Sequence, residues 1–486
     1  MLPSIKAISL SLSFATSLPL HLSHHSRWNP ATCIREQSHT PQVRLPPYAC
    51  TPDHSSTANQ PATRFWAAVA AGAMIGLTNF GTPTDGATLI AVVDTGVDIK
   101  HERLFTHGVQ AWCSNSENHI CPDISSNLIK PDQPNYNPKV ESLYDEDFPR
   151  FLALRKRHKS DPLTGEENNW LIQKMQTPGF TKRLDEYLQA SHGTHVAGII
   201  AEADPQLALF PIRLIPDLFE LPQPSTTATQ QPNILKTQLS PQERIHLTQI
   251  LREKLQQYAQ RNASLTEEMA KLLEAKHISV FNGSYGVNLS KALVQRLMEQ
   301  YHLHDTELAN ELFHELQHIY LQHYQSLMQQ NPWCLFVFAA GNSHQNVDDD
   351  VHIPISATAK NMLRVAAWDE QKQSLAGFSN FGTGVDLAAP GVDIESSVPH
   401  NHTLPMSGTS QAAPTVSGIA GKIRDLCPQL SPQEVKHILL ATVDHKQSLQ
   451  GVVASGGVLN PTRALSTAQL IRGGHTITQA LAIVLE

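Results

Sequence analysis

Cysteine is scarce: the six in 486 residues are too few and too scattered for the disulfide framework of a small secreted scaffold. Cys33 and Cys50 lie in an irregular N-terminal region, and Cys334 and Cys427 sit inside apolar patterns, where a thiol behaves as a small buried hydrophobe. Cys113 and Cys121 flank a polar loop and can be read as a local bridge or as two free thiols. Long basic runs are missing as well. Lys plus Arg number 36 against 44 for Asp plus Glu, so the formal net charge of −8 argues against nucleic acid as a partner. No apolar stretch reaches the about 20 residues that a bilayer demands. Phe65 to Leu77 is too short to span and reads as a packed helix, so no transmembrane segment is expected. Internal repeats are also lacking.

What remains is a chain long enough for one large domain with insertions, or for two or three smaller ones. Its 25 histidines allow charge to change between about pH 7 and pH 5, although most are expected to be plain surface groups. Residues 1–22 carry Lys6 and then the run Ala7 to Ala15, resembling the basic and apolar regions of a signal peptide. Serines dilute that run and no clean small-x-small site follows it. Secretion or export is the expectation. Residues 23–64, rich in Ser, His, Pro and Gln, read as a linker or processed segment, and the compact domain is placed at 65–486.

Ala87 to Val93 is a continuous, largely β-branched apolar run, as expected for a parallel strand covered on both faces. Asp94-Thr95-Gly96 follows it, which puts a carboxylate at the carboxyl edge of a sheet, where open α/β proteins bind their ligands. Further strands are expected at Leu207 to Ile215, Ile278 to Phe281, Cys334 to Ala340, Leu363 to Ala367 and Val385 to Ala388. Helices are expected at Phe148 to His158 and Asn168 to Met175, then behind the N-cap Ser191, with His192 in the first turn. Ser240-Pro241-Gln242-Glu243 resembles a capping box that opens a helix to about Gln260, followed by a second helix at about Thr266 to Ala275. Polar helices fill about Lys291 to Gln330, and an amphipathic helix covers Pro432 to Thr442. This alternation predicts an α/β fold with a doubly wound, mostly parallel sheet. Insertions are placed at about 102–190, 216–276 and 288–330.

The stretch Ser407-Gly408-Thr409-Ser410-Gln411-Ala412-Ala413-Pro414 precedes Val416, Ile419, Ala420, Ile423 and Cys427, which mark one face of a helix. Ser410 thus falls in a helix's first turn, beside unpaired N–H groups and the positive end of the dipole. Pro414 is read as a first-turn residue that has no intrahelical bond to lose. Gly418 and Gly421 imply close packing.

Four segments then converge on one chemistry. Asp94-Thr95-Gly96-Val97-Asp98, His192-Gly193-Thr194-His195-Val196-Ala197-Gly198 and Gly408-Thr409-Ser410-Gln411-Ala412-Ala413-Pro414 resemble, in that order, the signature blocks of subtilisin-like serine proteases. Ala339-Ala340-Gly341-Asn342 resembles the family's oxyanion-hole segment. The resemblance implies a three-layer subtilisin-like fold and a serine endopeptidase that cuts through an acyl-enzyme. Ser410 would be the nucleophile, His192 the general base and then acid, and Asp94 the group that fixes the imidazole. Asn342 would join the Ser410 N–H in holding the oxyanion. In subtilisin itself, losing the oxyanion Asn costs about 10² to 10³ in turnover and losing the Ser or His about 10⁶. By the same resemblance Ser284-Tyr285-Gly286 is the edge that pairs with an extended substrate backbone. Ala339-Ala340-Gly341 is then the opposite wall of the pocket for the residue before the cut. Main-chain pairing accepts any extended peptide, and a large apolar or aromatic residue in that pocket is the expectation. A monomer is expected, and the chemistry requires no cofactor. The segment before Trp66 does not resemble the family's inhibitory pro-domain.

Competing signals need weighing. His195 reads as a packing residue. His314-Glu315-Leu316-Gln317-His318 is a literal H-E-x-x-H that could hold zinc, though with 25 histidines in the chain a solvated helix face is the simpler reading. Asp348-Asp349-Asp350 could supply oxygen ligands to a structural Ca²⁺ or form a hydrated loop, and calcium stays unassigned. The rival functional classes are a silent subtilisin-fold binding protein and a zinc metalloprotease.

Overall fold

A computed structural model describes residues 88–99, 101–105, 140–158, 161–204, 207–213, 240–286, 291–301 and 303–486. The signal-like segment, the linker, the helix expected after Trp66 and the Cys113/Cys121 pair lie outside these residues.

In chain order the elements begin with β1 (Leu89–Asp94), α1 (Glu102–Phe105), α2 (Val140–Leu143), α3 (Phe148–His158), α4 (Gly165–Gln176), α5 (Phe180–Ala190), α6 (His192–Ala203) and β2 (Ala208–Arg213). Next come α7 (Pro241–Ala275), β3 (Val280–Gly283), α8 (Lys291–Glu299), α9 (Thr306–Gln330), β4 (Leu335–Ala339), β5 (Met362–Asp369) and β6 (Ser374–Leu375). The chain closes with β7 (Leu387–Pro390), β8 (Ile394–Val398), β9 (His402–Met406), α10 (Thr409–Leu426), α11 (Pro432–Ala441), β10 (Asp444–His445), β11 (Gly457–Val458), α12 (Pro461–Arg472) and α13 (Ile477–Leu485).

The strands β2-β1-β3-β4-β5-β7-β11 are hydrogen-bonded in that order and parallel, with β6 and β10 antiparallel at the side and end. This is the expected doubly wound α/β sheet. Strand order reverses at β1, which has β2 on one side and β3 on the other, so a crevice opens beyond the carboxyl ends of β1 and β3. Strand periodicity divides the core in two. Leu89, Ala91 and Val93 face a layer containing α7, α8 and α9, and Ile90 and Val92 face a layer containing α6, α10, α11 and α12. A third apolar cluster joins α3, α4 and α5 to the hairpin β8–β9, through Phe148, Phe180 and Tyr187 against Val398, Leu404 and Met406.

Three sequence expectations change. The two helices expected on either side of residues 261–265 are one 35-residue helix, α7, because neither Gly nor Pro interrupts the run. Its capping box is present, with Ser240 accepting from the Glu243 N–H and Glu243 from that of Ser240. Ser191 makes no capping bond: it is at once the C-cap of α5 and the first flanking residue of α6, so the two helices abut. Pro414 is the third change. It lies inside α10, whose first residue is Thr409, so its missing N–H deprives the Ser410 carbonyl of an i+4 donor.

Candidate active site

β1 delivers Asp94 as its last residue, and α6 delivers His192 as its first. The two side chains meet, with His192 Nδ1 2.7 Å from Asp94 Oδ1. The carboxylate is an acceptor, so Nδ1 carries the proton and Nε2 is the basic nitrogen. Local packing holds this geometry. The Thr95 N–H donates to Asp94 Oδ1, the Gly193 N–H donates to Thr95 Oγ1, and a Cβ on Gly193 would lie 2.3 Å from the Gly96 carbonyl oxygen. Only a glycine lets the helix start that close to the loop. His192 is 1% and Asp94 4% exposed, and Nε2 and Asp94 Oδ2 are buried without a hydrogen-bond partner. A buried unpaired polar atom costs about 1–3 kcal/mol, so such atoms call for a functional reason.

Ser410, 3% exposed, is the second residue of α10. Its Oγ donates to the Ser284 carbonyl at 3.0 Å, and Ser284 Oγ donates back to the Ser410 carbonyl at 2.9 Å. That second bond supplies the donor that Pro414 lacks. Asn282 Nδ2 donates to Ser284 Oγ, and Ser417 Oγ donates to Asn282 Oδ1, so a buried chain of hydrogen bonds links β3 to α10. Ser410 Oγ is thus turned away from His192, whose Nε2 it does not reach.

Asn342 follows β4 after Gly341. The Gly341 φ of 104° requires glycine, and so does its surroundings, since a Cβ there would lie 2.5 Å from Asn380 Nδ2. Asn342 Oδ1 accepts from the Thr409 N–H and hydroxyl, each at 2.9 Å. An amide NH2 cannot accept from a backbone N–H, so the amide orientation is determined and Nδ2 remains as a donor. Residues of three adjacent strand ends, β1, β3 and β4, are thereby gathered at one sheet edge.

A cavity of about 290 Å³ opens there. Ser284, Tyr285 and Gly286 line it together with Ala339, Ala340 and Gly341, and Ser410, Asn342 and Thr409 complete that end. Phe313 and Gln317 of α9, and the loop through His352, Ile353 and Ile355, also line it. Sequence reasoning did not place these. The signal for Thr409 lay inside the Gly408–Pro414 block, whereas the approach of α9 is a tertiary contact with no local sign.

His195 is fully buried, its Nε2 bonded to the carbonyls of Ile394 at 3.1 Å and Leu404 at 3.0 Å. Burial, reinforced by nearby His192, pushes its pKa down to about 3, so it is a neutral strut between α6 and the β8–β9 hairpin. The H-E-x-x-H residues serve elsewhere. Glu315 makes a salt bridge with Arg252 of α7, and His314 Nδ1 lies 3.1 Å from Gln317 Oε1. Among the described residues no three His, Cys, Asp or Glu side chains converge on a metal position. Asp348 accepts from the N–H groups of Thr383 and Gly384 and from the Thr383 hydroxyl, which braces the loop. Cys334 and Cys427 are free and buried.

The sequence profile of the subtilase family matches residues 85–460. The chain belongs to the subtilase family. As a subtilase, it is 36% identical to the subtilase-type proteinase RRT12 of Saccharomyces cerevisiae over 119 residues, which are 24% of this chain and 23% of that protein. It is 34% identical to the extracellular protease of Xanthomonas campestris over 143 residues, 27% of this chain and 23% of that one. With the thermophilic serine proteinase of Bacillus sp. strain AK1 the identity is 43% over 90 residues, 18% of this chain and 21% of the other. The matched part thus spans under a quarter of the length of each of these relatives.

Proposed function

We propose that the chain is a serine endopeptidase in which Ser410, His192 and Asp94 act as a triad. The observation that carries this reading is the buried Asp94–His192 pair with an unpartnered Nε2, at the same sheet edge as the Ser410 hydroxyl and a cavity of about 290 Å³. Catalysis requires Ser410 Oγ to leave the Ser284 carbonyl and turn to His192 Nε2. That turn also frees the carbonyl to accept an N–H from an extended substrate backbone.

Ser410 Oγ then forms a bond to the scissile carbonyl carbon while its proton passes to Nε2, and Asp94 stabilises the resulting imidazolium. The carbonyl oxygen becomes an oxyanion, held by Asn342 Nδ2 and the Ser410 N–H, one of the helix-start donors with no intrahelical acceptor. Collapse breaks the C–N bond, and Nε2 returns its proton to the leaving amine. Water, losing a proton to the same nitrogen, attacks the Ser410 ester, and as the bond to Oγ breaks Nε2 returns that proton to Ser410 and the acid leaves.

An exported setting accords with the signal-like residues 1–22 and with the extracellular relative. N-terminal sequencing of the purified protein tests it. The Ser410–Ser284 hydrogen bond is the single feature that favours a silent binding protein. Casein hydrolysis by the full chain, maintained in strong chelator and reduced about 10⁶-fold by Ser410→Ala, would support the peptidase. An inert wild type would support the silent fold.

A further inference from the structure

The cavity is closed by a helix from an insertion. Gln317 of α9 lines it and is itself only 4% exposed. Its Oε1 lies 3.1 Å from His314 Nδ1, one turn earlier, and its Nε2 donates to the Val351 carbonyl at 3.4 Å. The first contact is an i,i+3 pair on one helix face whose roles follow the histidine tautomer, and the second, to a carbonyl that only accepts, fixes Nε2 as the donor end. The second is long and uses one of two N–H groups; the other has no partner among the described residues. His352, next to Val351, also lines the cavity, and its Nε2 is buried without a partner. Burial lowers the His352 pKa, partly opposed by Asp350, so the imidazole is neutral near pH 7 and can accept a proton at Nε2. Around these polar atoms Phe313, Ala339, Ile353 and Ile355 form an apolar patch, while Ser343, Gln345, Asp350 and Asn380 line the rest. Among the described residues no Lys or Arg side chain lines the cavity.

Resting on the peptidase reading above, we propose that Gln317 is a specificity-determining residue that selects a tyrosine side chain immediately before the scissile bond. The ring packs against the apolar patch, and a cavity holding the volume of about ten waters has room for it. The phenol oxygen accepts from Gln317 Nε2, and the phenol hydrogen is available to His352 Nε2. Phenylalanine fills the same space but leaves His352 Nε2 and the second N–H of Gln317 unpaired, and a site built to hydrogen-bond a hydroxyl discriminates against the analogue that lacks it. His314 is the positioning residue. Without it the amide can turn its oxygen toward the phenol.

The test compares two fluorogenic peptides that differ only in Tyr or Phe before the cut. In the full-length wild type, kcat/KM for Tyr is expected to exceed that for Phe by about tenfold, the worth of one ordinary hydrogen bond. Gln317→Leu should bring the ratio to within about twofold of one, and His314→Ala, at an exposed position, should lower the ratio part of the way. Should Gln317→Leu fail to fold, His314→Ala still reads the ratio. A wild-type ratio at or below one, or a ratio that neither variant moves, overturns the inference. No turnover of either peptide, or of casein, by the wild type sinks the peptidase assignment itself and takes the inference with it.

Discussion

Helices α10 and α9 both line the same cavity, one with its first turn and the other with Phe313 and Gln317, but are built by opposite rules. From Thr409 to Ile423 every residue of α10 is buried. Cβ atoms at Gly418 and Gly421 would lie 2.5 Å from Ala203 Cβ and from Ile90 Cδ1 respectively. The helix is enclosed by α6 on one side and by β1 on the other. In α9 only one stripe is covered, with Leu308, Leu312, Leu316, Tyr320 and Tyr324 four residues apart, and its other face is polar. A helix gripped on all sides holds Ser410 in one place. A helix gripped on one side can change its outer residues freely while still presenting Phe313 and Gln317 to the pocket. On the proposed reading, one region fixes the chemistry and the other adjusts selectivity.

Substitutions in each region test that division. The largest effect among these belongs to Asn342, held against the start of α10 through Thr409: Asn342→Ala should lower kcat by about 10² to 10³ with little change in KM, the loss measured for the corresponding donor in subtilisin. A small kcat effect, or one carried by KM, would remove Asn342 from the oxyanion site. Gly421→Val should destabilise the fold by about 1–3 kcal/mol or more, since two Cγ atoms must enter space held by Ile90 and Leu207. Denaturant midpoints measure this, and an unchanged midpoint would show that α10 is not tightly held.

The strut His195 comes next. Its folded pKa, lowered to about 3, lies below the ordinary 6.5, so the unfolded chain takes up a proton that the native chain refuses. Stability from this group is complete above about pH 6.5 and declines as pH falls toward 3, by at most about 1.4 kcal/mol per unit. Denaturation at pH 7, 6, 5 and 4 should give a flatter pH dependence for His195→Gln than for wild type, and parallel curves would contradict the strut. The smallest effect is expected where α7 meets the outer face of α9. Arg252 bridges Glu311 and Glu315 between α7 and α9 with its side chain 37% exposed, and Arg252→Ala should cost under about 1 kcal/mol. A loss of several kcal/mol would mean that the α7–α9 pair is as tightly specified as α10.

Legibility in the sequence followed the same division. Asp94, His192, Ser410 and Asn342 could be read because each stands where an apolar run ends or a helix begins, so local pattern already places it at the sheet edge. The strands β1, β4 and β5 were legible as unbroken apolar runs. The hairpin β8–β9 was not: Ile394-Glu395-Ser396-Ser397-Val398 is too polar to stand out. Its turn at His400 and Asn401 takes φ of 68° and 61° without a glycine, so the usual Asn-Gly or Asp-Gly signal is missing. The exchange of hydrogen bonds between Ser284 and Ser410 spans 126 positions, and the contact of α9 with the pocket likewise forms only when the chain folds. H-E-x-x-H, read from sequence as a solvated helix face, acquires its partners only in the fold. Spacing suggests a metal site, but only the neighbouring helix shows that Glu315 belongs to Arg252 and His314 to Gln317.

Every step of the proposed chemistry depends on the hydroxyl at the start of α10 being the nucleophile. Reaction of the full chain with a fluorophosphonate probe, followed by mass-spectrometric mapping of the adduct, measures this. A single adduct on Ser410, abolished by Ser410→Ala and slowed strongly by His192→Ala, is the expected result. An adduct on any other residue, or labelling that persists in Ser410→Ala, would rule Ser410 out as the nucleophile.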